Sequence, residues 1–128
     1  MRGVKFVINN INNKTFNPHY VFSARITDLT VGRCNVNVSK DVAYLNYIYI
    51  EPVFRNRSLG SRLLMDTEDF LWNNNVSFIN SHVLSNDSDN LIDFYIKNNY
   101  KMSHFKTFFI ILSSIKIMFY NLFTFTII

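Results

Sequence analysis

At 128 residues the chain has room for one domain with a single core and too little for two of ordinary size. A composition 48% hydrophobic and 16% aromatic excludes a disordered chain, and the net charge of +4, from 13 Lys and Arg against 9 Asp and Glu, suits an anionic small ligand as well as a nucleic acid. The single cysteine, Cys34, excludes an internal disulfide and any Cys-rich zinc site, and it reads as a small strand residue.

The segment Met1 to Asn13 holds only a short apolar stretch broken by Lys5 and several Asn, so no secretory signal is read there and the cytoplasm is the expected compartment. Val4 to Ile8 reads as a first strand and Asn9 to Pro18 as an Asn-rich loop without periodicity. Tyr20 to Ile26 and Thr30 to Val38 read as two further strands, with Thr27-Asp28-Leu29 as the turn and Gly32 as a bulge position. After a turn at Ser39-Lys40-Asp41 comes a fourth strand, Val42 to Ile50, so the strands on either side of these short turns form an antiparallel meander.

Pro52 cannot donate to a ladder and should end the fourth strand. From Leu59 onward the apolar residues Leu63, Leu64, Phe70 and Leu71 recur at helical spacing, which predicts a helix from about Leu59 to Asn73 with Ser58 as N-cap and Asn73-Asn74-Asn75 as the stop. The loop that opens this helix carries Arg55, Arg57, Gly60 and Arg62. A helix N-terminus adds unpaired backbone N–H groups and a positive dipole end, so this is a place that binds phosphate. Val76 to Leu84 then returns as a strand parallel to the fourth, which puts a ligand at the carboxyl ends of the pair. Ser85 to Asp89 is a polar turn. Leu91, Ile92, Phe94 and Tyr95 mark the apolar side of a second helix ending near Asn98.

The tail admits three readings. It is a pair of core strands, His104 to Leu112 and Ile115 to Ile127; or a membrane-associating segment over 108–128, apolar except for Ser, Thr, Lys116 and Asn121; or a degenerate end. The strand reading is preferred, because the sheet otherwise lacks partners at its far edge.

Two segments carry a family resemblance. Arg55-Asn56-Arg57-Ser58-Leu59-Gly60 resembles the Arg/Gln-x-x-Gly-x-Gly/Ala pyrophosphate loop of the GNAT superfamily of acyl-CoA N-acyltransferases, and Ile48-Tyr49-Ile50-Glu51-Pro52 is similar to the strand end before it. The segment from Ser88 to Tyr100 resembles the family's Asn-x-x-Ala-x-x-Leu-Tyr-x-x-x-Gly-Phe, with Phe94-Tyr95 keeping the apolar-Tyr pair. Ser58 stands where the family has Gly, and Ser88, Leu91, Asn99 and Tyr100 stand for Asn, Ala, Gly and Phe. The two helices that in the family lie between the first two strands and help wall the acceptor site have no room here. The resemblance implies an α+β, three-layer fold: a mixed, mostly antiparallel sheet with a central splayed parallel pair and two flanking helices. Residues 1–104 would form that domain and 105–128 the hydrophobic tail.

The resemblance also implies an N-acetyltransferase that moves an acetyl group from acetyl-CoA to a primary amine by direct attack in a ternary complex, without a metal. The backbone of Arg57, Ser58, Leu59, Gly60 and Ser61 would hold the pyrophosphate, with charge from Arg55, Arg57 and Arg62. The edge of Ile48, Tyr49 and Ile50 would bind the pantetheine arm, and Ser88 is carried with these cofactor residues. Tyr95 matches the general acid, a phenol that can protonate a departing thiolate yet stays neutral near pH 7. No carboxylate lies between Asp41 and Glu51, so His82 on the next strand is the candidate base. His19, His82 and His104 show no metal-ligand spacing. The acceptor is a small molecule or a protein amine, and an exposed sheet edge invites a homodimer. The alternatives are a catalytically inactive CoA-binding protein of the same fold and a membrane-associated protein. A nucleic-acid binder ranks lowest, because no helix carries a basic stripe.

Overall fold

The structure, a computed structural model, describes residues 3–10, 17–84, 89–103 and 115–121. Seven strands form one sheet: β1 (Val4–Asn10), β2 (His19–Ile26), β3 (Leu29–Ser39), β4 (Val42–Ile50), β5 (Phe78–Leu84), β6 (Lys101–Ser103) and β7 (Ile115–Asn121), in the spatial order β1-β2-β3-β4-β5-β7-β6. Two helices, α1 (Leu59–Asn73) and α2 (Asp89–Lys97), complete the described residues together with a single 3-10 turn over Pro52–Phe54. Strands β1 to β4 pair antiparallel, β2 to β4 across short turns, while β4 pairs parallel with β5 across the α1 crossover. The parallel arrangement extends further than the central pair, because β7 is parallel to both β5 and β6.

Of the tail, Ile115–Asn121 is strand β7. The rest of the two tail strands expected from His104 to Ile127 lies outside the described residues, and so do Ser88 and most of the Asn-rich loop. Among the described residues no helix is long and apolar enough to cross a membrane.

Helix α1 lies on one face of the sheet and buries Leu59, Leu63, Leu64, Thr67, Glu68 and Leu71. These positions repeat every three to four residues, so they form one stripe. The stripe meets Phe22, Ala24, Cys34, Val36 and Leu45, which alternate inward along β2, β3 and β4. Phe70 flanks the stripe, its ring edge-on to Tyr20 at 5.0 Å and to Phe22 at 5.5 Å.

Two bulges shape the sheet. Ala24 pairs with Gly32 but Arg25 pairs with Thr30, so the extra residue is Val31, one position before the expected Gly32. Gly32 itself is needed for space: a Cβ there would fall 2.5 Å from Ile50 Cδ1 and 3.3 Å from the Tyr49 carbonyl oxygen. In β4, Asn35 pairs with Tyr47 and Val36 with Leu45, which leaves Asn46 as the extra residue. A bulge bends and twists its strand. Here the bend falls where β4 stops pairing with β5, since the ladder between them runs only from Val42 and Phe78 to Leu45 and Ser81.

Candidate active site

The fork between β4 and β5 is the organising feature. Beyond Leu45 and Ser81 both strands continue, to Ile50 and Leu84, without pairing to each other. Strand β4 therefore leaves the backbone of residues 46–50 unpaired with β5 at the carboxyl ends of a parallel pair, the position such sheets offer to ligands. Ile48 and Ile50 turn toward the core under α1, whereas Tyr47 and Tyr49 occupy the opposite face and stack on each other at 5.9 Å.

At the mouth of the fork stands the N-terminus of α1. Ser58 is the N-cap residue, with φ 61° and ψ 13°, and its side chain makes no capping hydrogen bond. A side-chain cap needs the N-cap backbone in the β region, so the left-handed conformation is what keeps the Ser58 hydroxyl from capping as the sequence led us to expect. The consequence is a first turn without a side-chain cap. Asn56 is also left-handed, at φ 60°, so two residues of the turn that opens α1, 56 and 58, carry a positive φ.

The three arginines of the loop diverge. Arg55 donates its Nε–H to the Ile50 carbonyl at 2.7 Å, and its guanidinium lies 5.1 Å from the centre of the Tyr49 ring. Arg62 points to the other side, 5.3 Å from the Phe6 ring on β1. Arg57 is exposed in the loop between them. Arg55 and Arg62 are thus engaged with the strand end and with β1, while Arg55 and Arg57 are both exposed.

Helix α2 closes the third side. A Cβ on Gly60 would meet the Phe94 ring at 3.2 Å and Ile50 at 3.6 Å, so the first turn of α1, the end of β4 and α2 converge on that glycine. Asn98 donates to Ser61 Oγ at 3.2 Å and to the Phe94 carbonyl at 2.7 Å. Asn99 has φ 70°, and the bonds from Tyr100 N to Tyr95 O and from Asn99 N to Ile96 O, both 3.0 Å, form a Schellman cap. Asn is the residue type that best replaces glycine in this conformation, so the departure at Asn99 preserves the helix end.

Tyr95 is 2% exposed, with its ring 5.4 Å from Phe94 and 5.1 Å from Tyr100. Tyr100 in turn donates its hydroxyl to Glu68 Oε2 at 2.8 Å. Burial pushes the Tyr100 phenol well above its ordinary range, and the Glu68 charge adds to that. Sequence reasoning missed Glu68. The signal was the interruption of the α1 stripe, since Thr67 and Glu68 each fall one turn after a buried leucine. It also missed Ser81 and Asn80, which are 0% and 2% exposed on β5 and whose Oγ and Oδ1 have no hydrogen-bond partner among the described residues. His82 is the first β5 residue past the ladder with β4; its side chain lies outside the described residues. Among the described residues no group of three His, Cys, Asp or Glu is arranged to hold a metal ion.

Comparison with known proteins gives this geometry a context. Residues 5–100 match the acetyltransferase (GNAT) family. No curated protein sequence matches. Among solved structures, the PaiA N-acetyltransferase of Thermoplasma acidophilum in complex with coenzyme A is 20% identical with a TM-score of 0.62, over 66% of this chain and 53% of that one. The aminoglycoside acetyltransferase meta-AAC0020 from an uncultured soil metagenomic sample, in complex with trehalose, is 18% identical with a TM-score of 0.65, over 79% of this chain and 69% of that one. AAC(6')-Iy in complex with the bisubstrate analogue CoA-S-monomethyl-acetylneamine is 16% identical with a TM-score of 0.62, over 71% and 67%. At these identities the likeness is one of fold, and the chain spans about half the length of the Thermoplasma protein.

Proposed function

This chain belongs to the acetyltransferase (GNAT) family, and from that premise we propose that it moves an acetyl group from acetyl-CoA to a primary amine by direct attack in a ternary complex. The observation that carries the reading is the fork at Leu45 and Ser81 with the first turn of α1 at its mouth. The N–H groups of Arg57, Ser58, Leu59, Gly60 and Ser61 would receive the pyrophosphate, and Arg57 would add its charge. The freed edge of β4 over Ile48–Ile50 would hydrogen-bond the pantetheine amides and donate an N–H to the thioester oxygen as it becomes an oxyanion. The amine's lone pair then forms the C–N bond, the C–S bond breaks, and the thiolate takes a proton from Tyr95. The proton lost by the new ammonium goes to His82 or to water.

A second reading keeps the cofactor and loses the turnover. Its support is the 2% exposure of Tyr95 and a left-handed residue with a Cβ, Ser58, at the loop position where the family has glycine. Calorimetric titration with acetyl-CoA, repeated with dephospho-CoA and with adenosine diphosphate, tests both. Acetyl-CoA binding together with acetylation of an amine supports the enzyme; binding without transfer to any amine supports the second reading. No binding by a folded sample overturns both.

A further inference from the structure

The sheet face opposite α1 carries a band of basic and hydroxyl side chains. Among the described residues neither helix covers it; across its strands Lys5 on β1 pairs with Arg25 on β2, and Arg33 on β3 pairs with Ser23 on β2 and with Tyr49 on β4, the bulge at Val31 setting Arg25 opposite Thr30. A depression of about 360 Å³ is lined by Ser23, Arg25, Thr30 and Arg33 among others, and it contains no carboxylate. A second, of about 260 Å³, shares Thr30 and Arg33 and runs to Tyr47, Tyr49 and Glu51, beside the fork. The two form one band from β2 to the edge of β4 where the thioester would lie.

Of the residues lining the two depressions one is a carboxylate, Glu51, at the β4 end of the second. Arg33 is exposed and makes no ion pair with a described residue. Arg25 donates one terminal N–H to the Asp28 main-chain carbonyl at 3.0 Å, while its buried Nε–H has no partner among the described residues. A guanidinium with an unfilled buried donor, near a second guanidinium and two hydroxyls, is a receptor for an oxyanion. The Arg55 guanidinium over Tyr49 adds to the positive field on the same face.

We propose that the acceptor amine is carried on a small anion. It has a carboxylate or phosphate held by Arg33 and Arg25, one to two strand spacings, roughly 5–10 Å, from the amine at the β4 edge. This rests on the acetyl-transfer reading above and names its substrate class. The size of the band fits a small molecule. Polycations, the other familiar class of amine acceptor, meet like charge at Arg25 and Arg33.

Two matched pairs of acceptors test this: L-glutamate against L-glutamine, and glucosamine 6-phosphate against glucosamine, with spermidine as the polycation. The expected result is a preference of about tenfold or more in kcat/KM for the anionic member of at least one pair, which also distinguishes carboxylate from phosphate. In Arg33→Glu that preference disappears while acetyl-CoA affinity stays at the wild-type value. Equal rates within both pairs, or a preference for spermidine, overturn the proposal. Direct calorimetric titration of the same amines decides the matter without chemistry: binding of an anionic member that weakens with salt and is lost in Arg33→Glu supports it. No binding of either anionic amine to a protein that binds acetyl-CoA but acetylates neither overturns the acceptor class alone, whereas loss of acetyl-CoA binding is the failure of the acetyl-transfer reading.

Discussion

The Tyr100 hydroxyl donates to Glu68 Oε2 at 2.8 Å, so the residue that caps α2 is fastened to the middle of α1. The same Tyr100 bonds through its N–H to the Tyr95 carbonyl and lays its ring 5.1 Å from the Tyr95 ring. Tyr95 is therefore linked to Glu68 through Tyr100. Removing the hydroxyl in Tyr100→Phe leaves a carboxylate that is 6% exposed one donor short, which should cost about 1–3 kcal/mol. Urea denaturation measures it. A midpoint unchanged from wild type would mean that this bond is not formed in solution.

Alkaline pH should unfold the protein from the same region. Burial pushes the Cys34 thiol from 9.0 up to about 12, the Glu68 charge adding and a hydrogen bond with Thr67 opposing. The folded state thus holds the thiol proton more tightly than the unfolded chain. That contribution is complete below pH 9 and is lost between pH 9 and about 12, at a slope of about 1.4 kcal/mol per pH unit. The raised Tyr100 phenol acts with the same sign. Stability measured from pH 7 to 11 should fall above 9, and Cys34→Ala should flatten the start of that fall. At pH 8 a thiol reagent should label the protein only after unfolding.

Ser58 offers a substitution expected to help. A non-glycine residue in the left-handed region costs about 1–2 kcal/mol, and glycine returns roughly 0.5–1 kcal/mol of that as unfolded-chain entropy. Ser58→Gly should therefore range from neutral to about 1 kcal/mol more stable, and acetyl-CoA should bind at least as well, since the backbone can approach more closely. Ser58→Ala keeps the strain and removes only the hydroxyl. If Ala weakens binding while Gly does not, the hydroxyl is compensating for the Cβ; if both weaken it, the hydroxyl itself contacts the phosphate.

How far the sequence could be read follows from where its signals are local. Pro52 ended β4, the leucines from Leu59 placed α1 to the residue, and the parallel return of β5 followed from a single crossover. These rest on proline's missing donor and on periodicity, which need no knowledge of partners. The bulge at Asn46 shows in the sequence only as a change of phase, from aliphatic Ala43 and Leu45 with Tyr44 between them to Ile48 and Ile50 with Tyr47 and Tyr49, a signal masked by the strong strand propensity on both sides of it. Glu68 was missed for a different reason: an acid among Asp66 and Asp69 on a helix is ordinarily solvated, and its bond from the distant Tyr100 is seen only in the fold. The divergence of Arg55 and Arg62 also required the fold, since each is held by a group on another segment, the Ile50 carbonyl or the Phe6 ring.

Tyr95 brings these constraints to the chemistry. If its phenol protonates the departing thiolate, Tyr95→Phe removes the proton and leaves nearly every packing contact of the ring, so kcat should fall by about 10²-fold or more with acetyl-CoA affinity nearly intact. The 2% exposure of this side chain makes the test sharper, because a residue so buried is first a packing residue. A packing role alone predicts that Tyr95→Phe is silent and that Tyr95→Ala unfolds the domain by about 3–5 kcal/mol, as large aromatic truncations do. Loss of turnover in Phe without loss of stability or cofactor binding separates the two. Equal turnover in Phe removes Tyr95 from the mechanism, and the proton for the thiolate would then have to come from water entering the fork beside Ser81.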